Sequence, residues 1–417
     1  MKVKRTLSTA RTWLVRRVYH APTWFNGLVD FVVDHVVVRV IDVAKSWKFN
    51  LNSSSVELPR HVPVPRSGTR VLVAPANYAG QGKEWARAIS SHVADAGAVN
   101  LAIEIPGRLQ FEADRVVPEK VNRFCRDWQT RELAHVTEHF THVLVEAENA
   151  VFGSLFRGRP SDERQYLETR GLSVAYIAHG TDVRSPRRHI EATPFSPFRE
   201  KDVYVDRVQR RVDRNLRFLE NGGVPVFVST PDLVDDVPQA TWVPVVIDLV
   251  TWARPEAEPK SHQTPQVLHA PSLGSIKGTD LIRAAVTGLA DRGVVEYSEI
   301  SGLPLSLIRE AVLESDIVLD QFRLGSYGVA ACEAMAAGKV VVGHVTRAVR
   351  EYVLTQTGLE LPIVEATPET LSIVLQELAC DPVRMADIGL DGRTFVREVH
   401  DGRLSALRLE RHWIRKR

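Results

Sequence analysis

The stretch DIVLDQFRLGSYGVAACEAMAAGKVVVGH, residues 316 to 344, indicates how this chain folds. A short apolar run is followed by a glycine-containing turn, a run of small residues with helical character and a second apolar run. This order is typical of a parallel β-sheet whose strands are joined by helices. Gly325 and Gly328 lie in the turn, where they allow the backbone to approach a ligand closely. Because ligands of such sheets bind beyond the carboxyl ends of the strands, the turn predicts a binding site.

The same alternation of apolar strands and helices continues on both sides of this stretch. Predicted strands of a first set lie at 71–76, 100–105, 142–147, 172–179 and 224–230, and those of a second set at 266–271, 294–300, 316–320, 340–345 and 361–366. A proline-punctuated stretch separates the two sets. The pattern therefore predicts an α/β protein with two Rossmann-like domains, at 68–238 and 239–400. A helical N-terminal extension with its linker at 1–60 and a basic C-terminal helix at 401–417 complete the prediction.

The composition is that of an ordinary soluble globular protein. Of the 417 residues, 44% are hydrophobic and 25% are charged, and the formal net charge is +2. The length is sufficient for two hydrophobic cores. Cys125, Cys332 and Cys380 are far apart and form no C-x-x-C pair, which argues against a disulfide framework or a zinc ribbon. These features predict a cytoplasmic protein.

The N-terminal segment is both basic and apolar. Residues 1–20 contain six lysines and arginines and no acid, but no uninterrupted apolar stretch with a cleavage site follows them, so export is not indicated. The apolar stretch at 25–44 is about as long as a membrane span, yet it contains three aspartates and an arginine. Each of these costs roughly 2.5 to 3.5 kcal/mol at mid-bilayer, so a span is disfavoured. Two interpretations remain: a helix packed on the protein, or a peripheral membrane contact through residues 1–45.

Two side chains that follow strands of the second set indicate a site for an anionic, hydroxyl-bearing ligand. Lys277 precedes a helix whose free backbone N–H groups form an anion site, so it is suited to neutralise a diphosphate. The alternative is a solvated residue at a helix start. Glu333 lies among small apolar residues, where a carboxylate is costly unless it is paired or hydrogen-bonded. Two vicinal ribose hydroxyls would satisfy it. Neither G-x-G-x-x-G nor G-x-x-x-x-G-K-[ST] occurs, so a dinucleotide dehydrogenase or a P-loop enzyme lacks its fingerprint.

These residues resemble the donor-binding half of GT-B glycosyltransferases, specifically the retaining family 4 group. The family pattern E-G-F-G-x-x-x-x-E-A-M-A-x-G is matched by G-S-Y-G-V-A-A-C-E-A-M-A-A-G at 325–338. The resemblance covers roughly residues 70–400 and implies two Rossmann-like domains that face a cleft. It also implies that Glu333 holds the ribose hydroxyls and that Lys277 binds the diphosphate.

Two positions depart from the family pattern. Gly325 stands where the family has its first Glu, which contacts the sugar, and Ser272 stands where the family has an Arg in the diphosphate loop. Arg323 is the candidate for the missing cation. The donor-binding set implied by the resemblance is Ser272, Lys277, Gly278, Gly325, Ser326, Tyr327, Gly328 and Glu333.

By the same resemblance, two loops of the first domain border the donor and the acceptor. Gly80 and Gly82 follow the first strand, in the position of the family's glycine loop. His179 ends a later strand, where similar histidines of the family touch the sugar, and Asp182 and Arg184 share its loop and are predicted to meet the acceptor. A turn-capping aspartate and a structural histidine are the alternatives for these positions.

The resemblance implies sugar transfer with retention at the anomeric carbon, without a metal or another cofactor. A nucleotide-diphosphate sugar is then the substrate, and His179, Lys277 and Glu333 are the implied catalytic set. No D-x-D triplet, the usual metal-diphosphate handle of the other large glycosyltransferase fold, occurs in the chain. His135 and His139 lie four residues apart, but they lack an H-E-x-x-H arrangement, so a metal face is disfavoured.

Two other functions stay open at this point. An inactive GT-B protein that serves as a binding or scaffolding partner is motivated by Gly325 and Ser272. A glycosyltransferase that modifies nucleic acid is motivated by the basic ends of the chain, although the small net charge makes nucleic acid an unlikely partner. The acceptor of a transferase is not indicated by the sequence, and neither are the nucleobase and the sugar of its donor.

Overall fold

The computed structural model describes residues 58–106, 109–200, 205–252 and 264–415. These residues form two parallel sheets covered by helices. The strands of the first sheet are β1 (Thr69–Ala74), β2 (Ala96–Glu104), β3 (Arg115–Pro118), β4 (His142–Glu146), β5 (Ser173–Ala178), β6 (Val226–Val228) and β7 (Thr241–Trp242). The strands of the second sheet are β8 (Gln266–His269), β9 (Glu296–Glu299), β10 (Ile317–Leu319), β11 (Val340–Gly343) and β12 (Val364–Glu365).

Helices connect these strands and follow the last of them. In the first half they are α1 (Gln81–His92), α2 (Glu119–Phe124), α3 (Arg126–His139), α4 (Pro160–Thr169), α5 (Pro186–Ala192), α6 (Val205–Glu220) and α7 (Leu249–Trp252). In the second half they are α8 (Gly274–Lys277), α9 (Thr279–Ala290), α10 (Leu305–Glu314), α11 (Val329–Ala336), α12 (Arg347–Thr357), α13 (Leu371–Ala379), α14 (Pro382–Val399) and α15 (Arg403–Leu409). The helical segment predicted at 1–60 lies almost wholly outside the described residues, as does the membrane contact predicted for 1–45.

Both sheets have the doubly wound order that the alternating pattern predicts. The first runs β3-β2-β1-β4-β5-β6-β7 and the second runs β12-β11-β10-β8-β9, with parallel pairing throughout. In each sheet the chain reverses direction beside a central strand, and such a switch point opens a crevice at the carboxyl ends of the strands. The predicted fold class, α/β with two Rossmann-like sheets, is confirmed.

Two segments differ in detail from the sequence-based expectation. The helix expected from about 117 to 139 begins later, because the β-branched Val116 and Val117 extend as β3 beside β2 and Pro118 has no N–H to give. It is also divided into α2 and α3 at Cys125, whose backbone is extended. The strand Thr241–Trp242 pairs with β6, so the chain leaves the first sheet slightly later than residue 239.

The C-terminal helix packs against the first domain rather than the second. Trp413 is 2% exposed and belongs to the apolar cluster around β1 and α1, and its indole N–H donates to the hydroxyl of Ser173 at 2.9 Å. The Arg408 guanidinium donates to the Trp242 carbonyl oxygen at 2.6 Å. Gly402, which has a φ of +103°, lets the chain turn here, since a Cβ would lie 3.0 Å from the Cβ of Ala88. The end of the chain thus ties the second domain back to the first.

No helix among residues 58–106, 109–200, 205–252 and 264–415 is long and apolar enough to cross a membrane.

Truncation of the buried tryptophan should reveal how much this C-terminal contact stabilises the fold. We expect Trp413→Ala to lower the free energy of unfolding by about 3 to 5 kcal/mol, because it leaves a cavity and an unpaired Ser173 hydroxyl. The measurement is urea denaturation followed by circular dichroism. His412→Ala alters the exposed neighbour and should change the value by no more than about 0.5 kcal/mol. Equal effects of the two substitutions would contradict the packing role.

Candidate functional site

The second sheet brings two of its loops together at one edge. Strands β8 and β10 are neighbours, with Ile317 opposite Val267 and Leu319 opposite His269. The buried ring of His269 hydrogen-bonds through Nδ1 to the Leu319 carbonyl oxygen at 2.9 Å and through Nε2 to the Thr279 hydroxyl at 2.8 Å. This histidine ties both strand ends to the beginning of α9. The loops that follow β8 and β10 therefore open at the same place.

Lys277 lies at the end of α8 and contacts the residue that follows β10. Its Nζ is 2.5 Å from Oδ1 of Asp320, whose side chain is 4% exposed. The backbone N–H of Phe322 donates to the Lys277 carbonyl oxygen at 2.9 Å. Gly278, with a φ of +81°, joins α8 to α9. The lysine predicted to bind the diphosphate is therefore paired with a buried aspartate.

Glu333 lies on α11 and is partly buried. Burial raises the pKa of its carboxyl to about 8, and the charge of Lys277 opposes that shift. Within the described part of the chain, no other residue hydrogen-bonds to this carboxyl. At neutral pH the group is thus protonated and has an unused donor and acceptor, which is what two neighbouring hydroxyls of a ligand require.

Arg323 supplies a second cation at this edge. The side chain is buried, and Nη2 lies 2.7 Å from both Oδ2 of Asp280 and Oε1 of Glu200. A longer contact of 3.5 Å joins Nη1 to the Phe195 carbonyl oxygen, while Nε is buried without a hydrogen-bond partner in the described structure. Asp280 belongs to the second domain, whereas Glu200 and Phe195 come from the first. The guanidinium predicted as the missing cation therefore lies where the two domains meet.

A cavity of about 610 Å³ adjoins this arginine. It is lined by the loop after β8, the beginning of α9 and the loop after β9, together with two charged residues already described: Glu200, Pro271, Ser272, Leu273, Gly274, Ser275, Thr279, Asp280, Arg283, Glu299, Ser301, Gly302 and Arg323. Ser272 is exposed on its wall. Lys277 and Glu333 do not line this cavity; they form a separate cluster with Asp320, linked to Arg323 through the 320–323 turn.

The turn at 320–328 has a geometry that explains its departure from the family motif. Gly325 has a φ of +69°, and a Cβ at this position would lie 2.6 Å from Cγ2 of Thr346. A glutamate would meet both obstacles. Gln321, which the sequence-based reasoning missed, holds the turn: its Oε1 accepts from the Arg323 and Leu324 backbone N–H groups at 3.1 and 2.6 Å, and its Nε2 donates to two carbonyl oxygens.

The remaining residues of the predicted turn are mainly structural. Tyr327 is buried, with its hydroxyl 3.3 Å from Nε2 of His400. Gly328 is extended, with a φ of −148°, and precedes α11 with open space around its Cα. Ser326 is also buried, and its hydroxyl lies near the buried carboxyl of Asp232. Of these three residues, the serine is the one whose side chain approaches the first domain.

In the first domain, His179 and the glycine loop surround a buried glutamate. Glu146, at the end of β4, accepts hydrogen bonds from the backbone N–H groups of Ala76 and Asn77 at 3.0 Å. A Cβ on Gly82 would lie 2.8 Å from Oε2 of this carboxylate, so glycine is required there. Nε2 of His179 lies 3.3 Å from Oε1 of Glu146, outside hydrogen-bond geometry, and it has no other partner in the described part of the chain.

Asp182 and Arg184 have contacts within their own domain. Asp182 accepts from the backbone N–H groups of His179 and Gly180 at 2.9 and 2.5 Å. Arg184 is buried and donates through Nη2 to Asp232 at 2.6 Å. These bonds fix the loop that carries the histidine. Contact of either side chain with an acceptor stays a prediction.

Two contacts join the loops of the two domains that carry predicted residues. Burial alone would raise the pKa of Asp232, but Arg184 and the nearby Ser326 and Thr230 hydroxyls outweigh it and hold that pKa below its usual value. Ser326 therefore lies beside the aspartate that pairs with Arg184. In addition, Nε2 of His189 on α5 lies 3.2 Å from the Leu324 carbonyl oxygen.

The histidine pair of α3 has structural partners. His135 Nε2 hydrogen-bonds to the Val62 carbonyl oxygen at 2.9 Å, and its ring stacks on His61 with centroids 4.5 Å apart. Across residues 58–106, 109–200, 205–252 and 264–415, no three His, Cys, Asp or Glu side chains are grouped so that they could hold a metal ion.

Comparison with solved structures identifies the fold. Sucrose-phosphate synthase from Thermosynechococcus elongatus matches with a TM-score of 0.53 at 13% identity, over 82% of this chain and 97% of that one. The catalytic domain of starch synthase IV from Arabidopsis thaliana, bound to ADP and acarbose, matches with a TM-score of 0.54 at 9% identity, over 83% and 98%. Anabaena Alr3699/HepE in complex with UDP-glucose matches with a TM-score of 0.50 at 11% identity, over 82% and 98%. The chain has the GT-B fold.

The GT-B fold predicted from the motif at 325–338 is thereby confirmed. No family model matches the sequence, and no curated protein matches it. At 9 to 13% identity the likeness to these glycosyltransferases establishes the fold alone. The activity of this GT-B chain therefore has to be argued from its residues.

The raised pKa of Glu333 has a measurable consequence for stability. The folded protein holds this proton up to about pH 8, whereas the unfolded chain releases it near 4.5, so the contribution is complete at low pH and is lost as the pH rises through 8. We expect the melting temperature of the wild type to fall more between about pH 5 and about pH 9 than that of Glu333→Gln. Glu360→Gln removes an exposed carboxylate and should keep the wild-type slope. Identical slopes in all three proteins would contradict the burial of this carboxyl.

The two glycines of the turn should differ in how much the same substitution destabilises the fold. Gly325→Ala combines a left-handed backbone with a Cβ that meets Thr346, so we expect a loss of about 2 to 4 kcal/mol in the free energy of unfolding. Gly328→Ala has neither problem and should change it by less than about 1 kcal/mol. Chemical denaturation of both variants checks this. Tolerance of alanine at both positions would show that the turn is less constrained than its geometry indicates.

Proposed function

We propose that this GT-B protein is a glycosyltransferase that takes its sugar from a nucleotide-sugar donor. One observation carries the proposal: two cations, Lys277 and Arg323, and the partner-free carboxyl of Glu333 meet at one sheet edge beside a cavity of about 610 Å³. That volume is within the range of pockets for small ligands. A nucleoside diphosphate has the matching groups, namely two phosphates, two vicinal hydroxyls and a flat base.

Each part of the site is suited to one part of such a donor. Arg323 and the beginning of α9 face the cavity, so the diphosphate lies against them. Lys277 does not line the cavity and is the proposed second cation from the adjoining cluster. Glu333 receives the ribose hydroxyls. Ser301 and Gly302, which line the cavity after β9, are the candidates for contacts with the base.

The chemistry we propose is electrostatic. Departure of the nucleoside diphosphate leaves negative charge on a phosphate oxygen, and Lys277 and Arg323 are placed to stabilise it. This role does not call for a metal ion. His179, whose Nε2 lacks a partner, is suited to hydrogen-bond a sugar hydroxyl across the cleft. We propose transfer with retention, in keeping with the family that the 325–338 motif resembles.

One specific observation favours a second candidate, an inactive nucleotide-binding or scaffolding protein. Lys277 is paired with Asp320, Arg323 is paired with two carboxylates, and Gly325 provides no carboxylate for the sugar. Under this second candidate, the site would bind a nucleotide without transferring a sugar. Binding and transfer are therefore measured separately.

Nucleotide binding should depend on the two side chains that carry the proposal. We expect UDP, GDP, dTDP or ADP to raise the melting temperature of the wild type, and the affinity for the preferred nucleotide to fall about tenfold or more in Lys277→Ala and in Glu333→Ala. Isothermal titration calorimetry gives the dissociation constants. Lys120→Ala removes an exposed lysine of α2 and should bind like the wild type.

Sugar transfer is tested with the sugar form of the nucleotide that binds. Without an acceptor, water takes the place of the acceptor and hydrolyses the donor slowly. Release of the nucleoside diphosphate in this reaction would support the transferase. Binding without any turnover would favour the scaffold, and undiminished affinity in both alanine variants would show that the donor site has been wrongly assigned.

A further inference from the structure

The cavity of the second domain contains a carboxylate that belongs to the first domain. Glu200 lines it together with Ser272, Ser275 and Arg323, and its Oε1 lies 2.7 Å from Nη2 of that arginine. The side chain of Glu200 is 43% exposed, while that of Arg323 is 3% exposed. A partly exposed carboxylate from one domain thus reaches a buried cation of the other.

The loop that carries Glu200, residues 193–200, is attached to the second domain at further points. The ring of Phe195 lies edge-on to that of His344, with centroids 5.6 Å apart, and its carbonyl oxygen lies 3.5 Å from Nη1 of Arg323. Ser196 hydrogen-bonds to Nδ1 of His189 at 2.8 Å, and Nε2 of the same ring reaches the Leu324 carbonyl oxygen. The position of Glu200 is therefore supported by its whole loop.

The net charge around Arg323 disfavours binding of an additional anion. Asp280 and Glu200 place two carboxylates on one guanidinium nitrogen, so the cluster already carries a net negative charge. A carboxylate oxygen at 2.7 Å also has the distance and charge that a phosphate oxygen would have on the same nitrogen. A diphosphate at this arginine would face like-charge repulsion from Glu200 as long as that side chain stayed in place.

We propose that Glu200 is a built-in competitor of the donor diphosphate: it holds Arg323 until the donor displaces it, and its loop then moves away from the second domain. The inference rests on the proposed function, because it assigns the same arginine to the diphosphate. Donor binding is thereby coupled to the contact between the two domains. The apparent affinity for the donor is the intrinsic affinity multiplied by the fraction of molecules in which Arg323 is not held by Glu200.

Neutralising this single carboxylate tests the proposal. Glu200→Gln keeps the size of the side chain and removes its charge, and we expect it to bind nucleoside diphosphate and inorganic pyrophosphate about tenfold more tightly than the wild type. Glu191→Gln removes an exposed carboxylate of α5, in the segment that leads into the same loop, and serves as the matched control. Isothermal titration calorimetry at constant ionic strength measures all three proteins with UDP, GDP, dTDP, ADP and pyrophosphate.

A double variant separates competition from a general effect of charge. In the Arg323→Gln background, Glu200→Gln should no longer tighten binding, because the group for which it competes is absent. A merely structural role for Glu200 predicts a lower melting temperature and unchanged or weaker binding, and that result overturns the proposal.

The remaining outcomes also decide between the two proposals. Equal binding by the wild type and Glu200→Gln rejects the competition but leaves the donor site standing. Binding by Glu200→Gln alone supports the competition. No binding of any nucleotide or of pyrophosphate by either protein rejects both the competition and the donor site.

Discussion

The ion pair between Lys277 and Asp320 is the interaction on which the second domain's site depends. It joins the loop after β8 to the end of β10, which the parallel register of these strands has already placed side by side. Removing either partner would leave a poorly hydrated charge, which is far more costly than losing an exposed pair. The charge of Lys277 thus acts on two carboxyl groups, those of Asp320 and Glu333. Burial raises the pKa of Glu333 to about 8 although the charge of Lys277 opposes that shift, so this carboxyl keeps its proton at neutral pH.

Binding of an anion at this edge is consequently an exchange of partners. Lys277 and Arg323 each have carboxylate partners, so a phosphate gains only the difference between the new contacts and the old ones. An anion with one charge gains little from such an exchange. Under the proposed function, a diphosphate contacts Arg323 and the N–H groups at the start of α9 in the cavity and Lys277 in the adjoining cluster, which compensates for the contacts that are lost. Paired cations thus discriminate by the number of charges on the ligand.

The sequence allowed the fold and part of the site to be predicted, for physical reasons that can be named. Strand ends and glycine turns are local signals, and they located Lys277, Glu333 and the 325–328 turn. Three of the residues that were missed act across long separations in the chain: Asp320 on Lys277, Glu146 on the glycine loop, and Glu200 on Arg323. A fourth, Gln321, holds the turn in which it lies. Their residue types carry no distinctive spacing, and only the packed structure shows what each one touches. The replacement of the family's first glutamate by Gly325 was visible in the sequence, whereas its cause, the proximity of Thr346, was not.

A buried carboxylate at the carboxyl edge of the sheet also organises the first domain. Glu146 ends β4 as Asp320 follows β10, and it is buried at the carboxyl edge of its sheet. Its partners are backbone N–H groups instead of a lysine, so it fixes the glycine loop and leaves the nearby His179 without a strong partner. A carboxylate satisfied by the backbone needs no counter-ion from a ligand. The first domain therefore presents an imidazole without a strong partner where the second presents two cations that already have carboxylate partners. Under the proposed function, the charged nucleotide lies against the second domain and the uncharged sugar against the first.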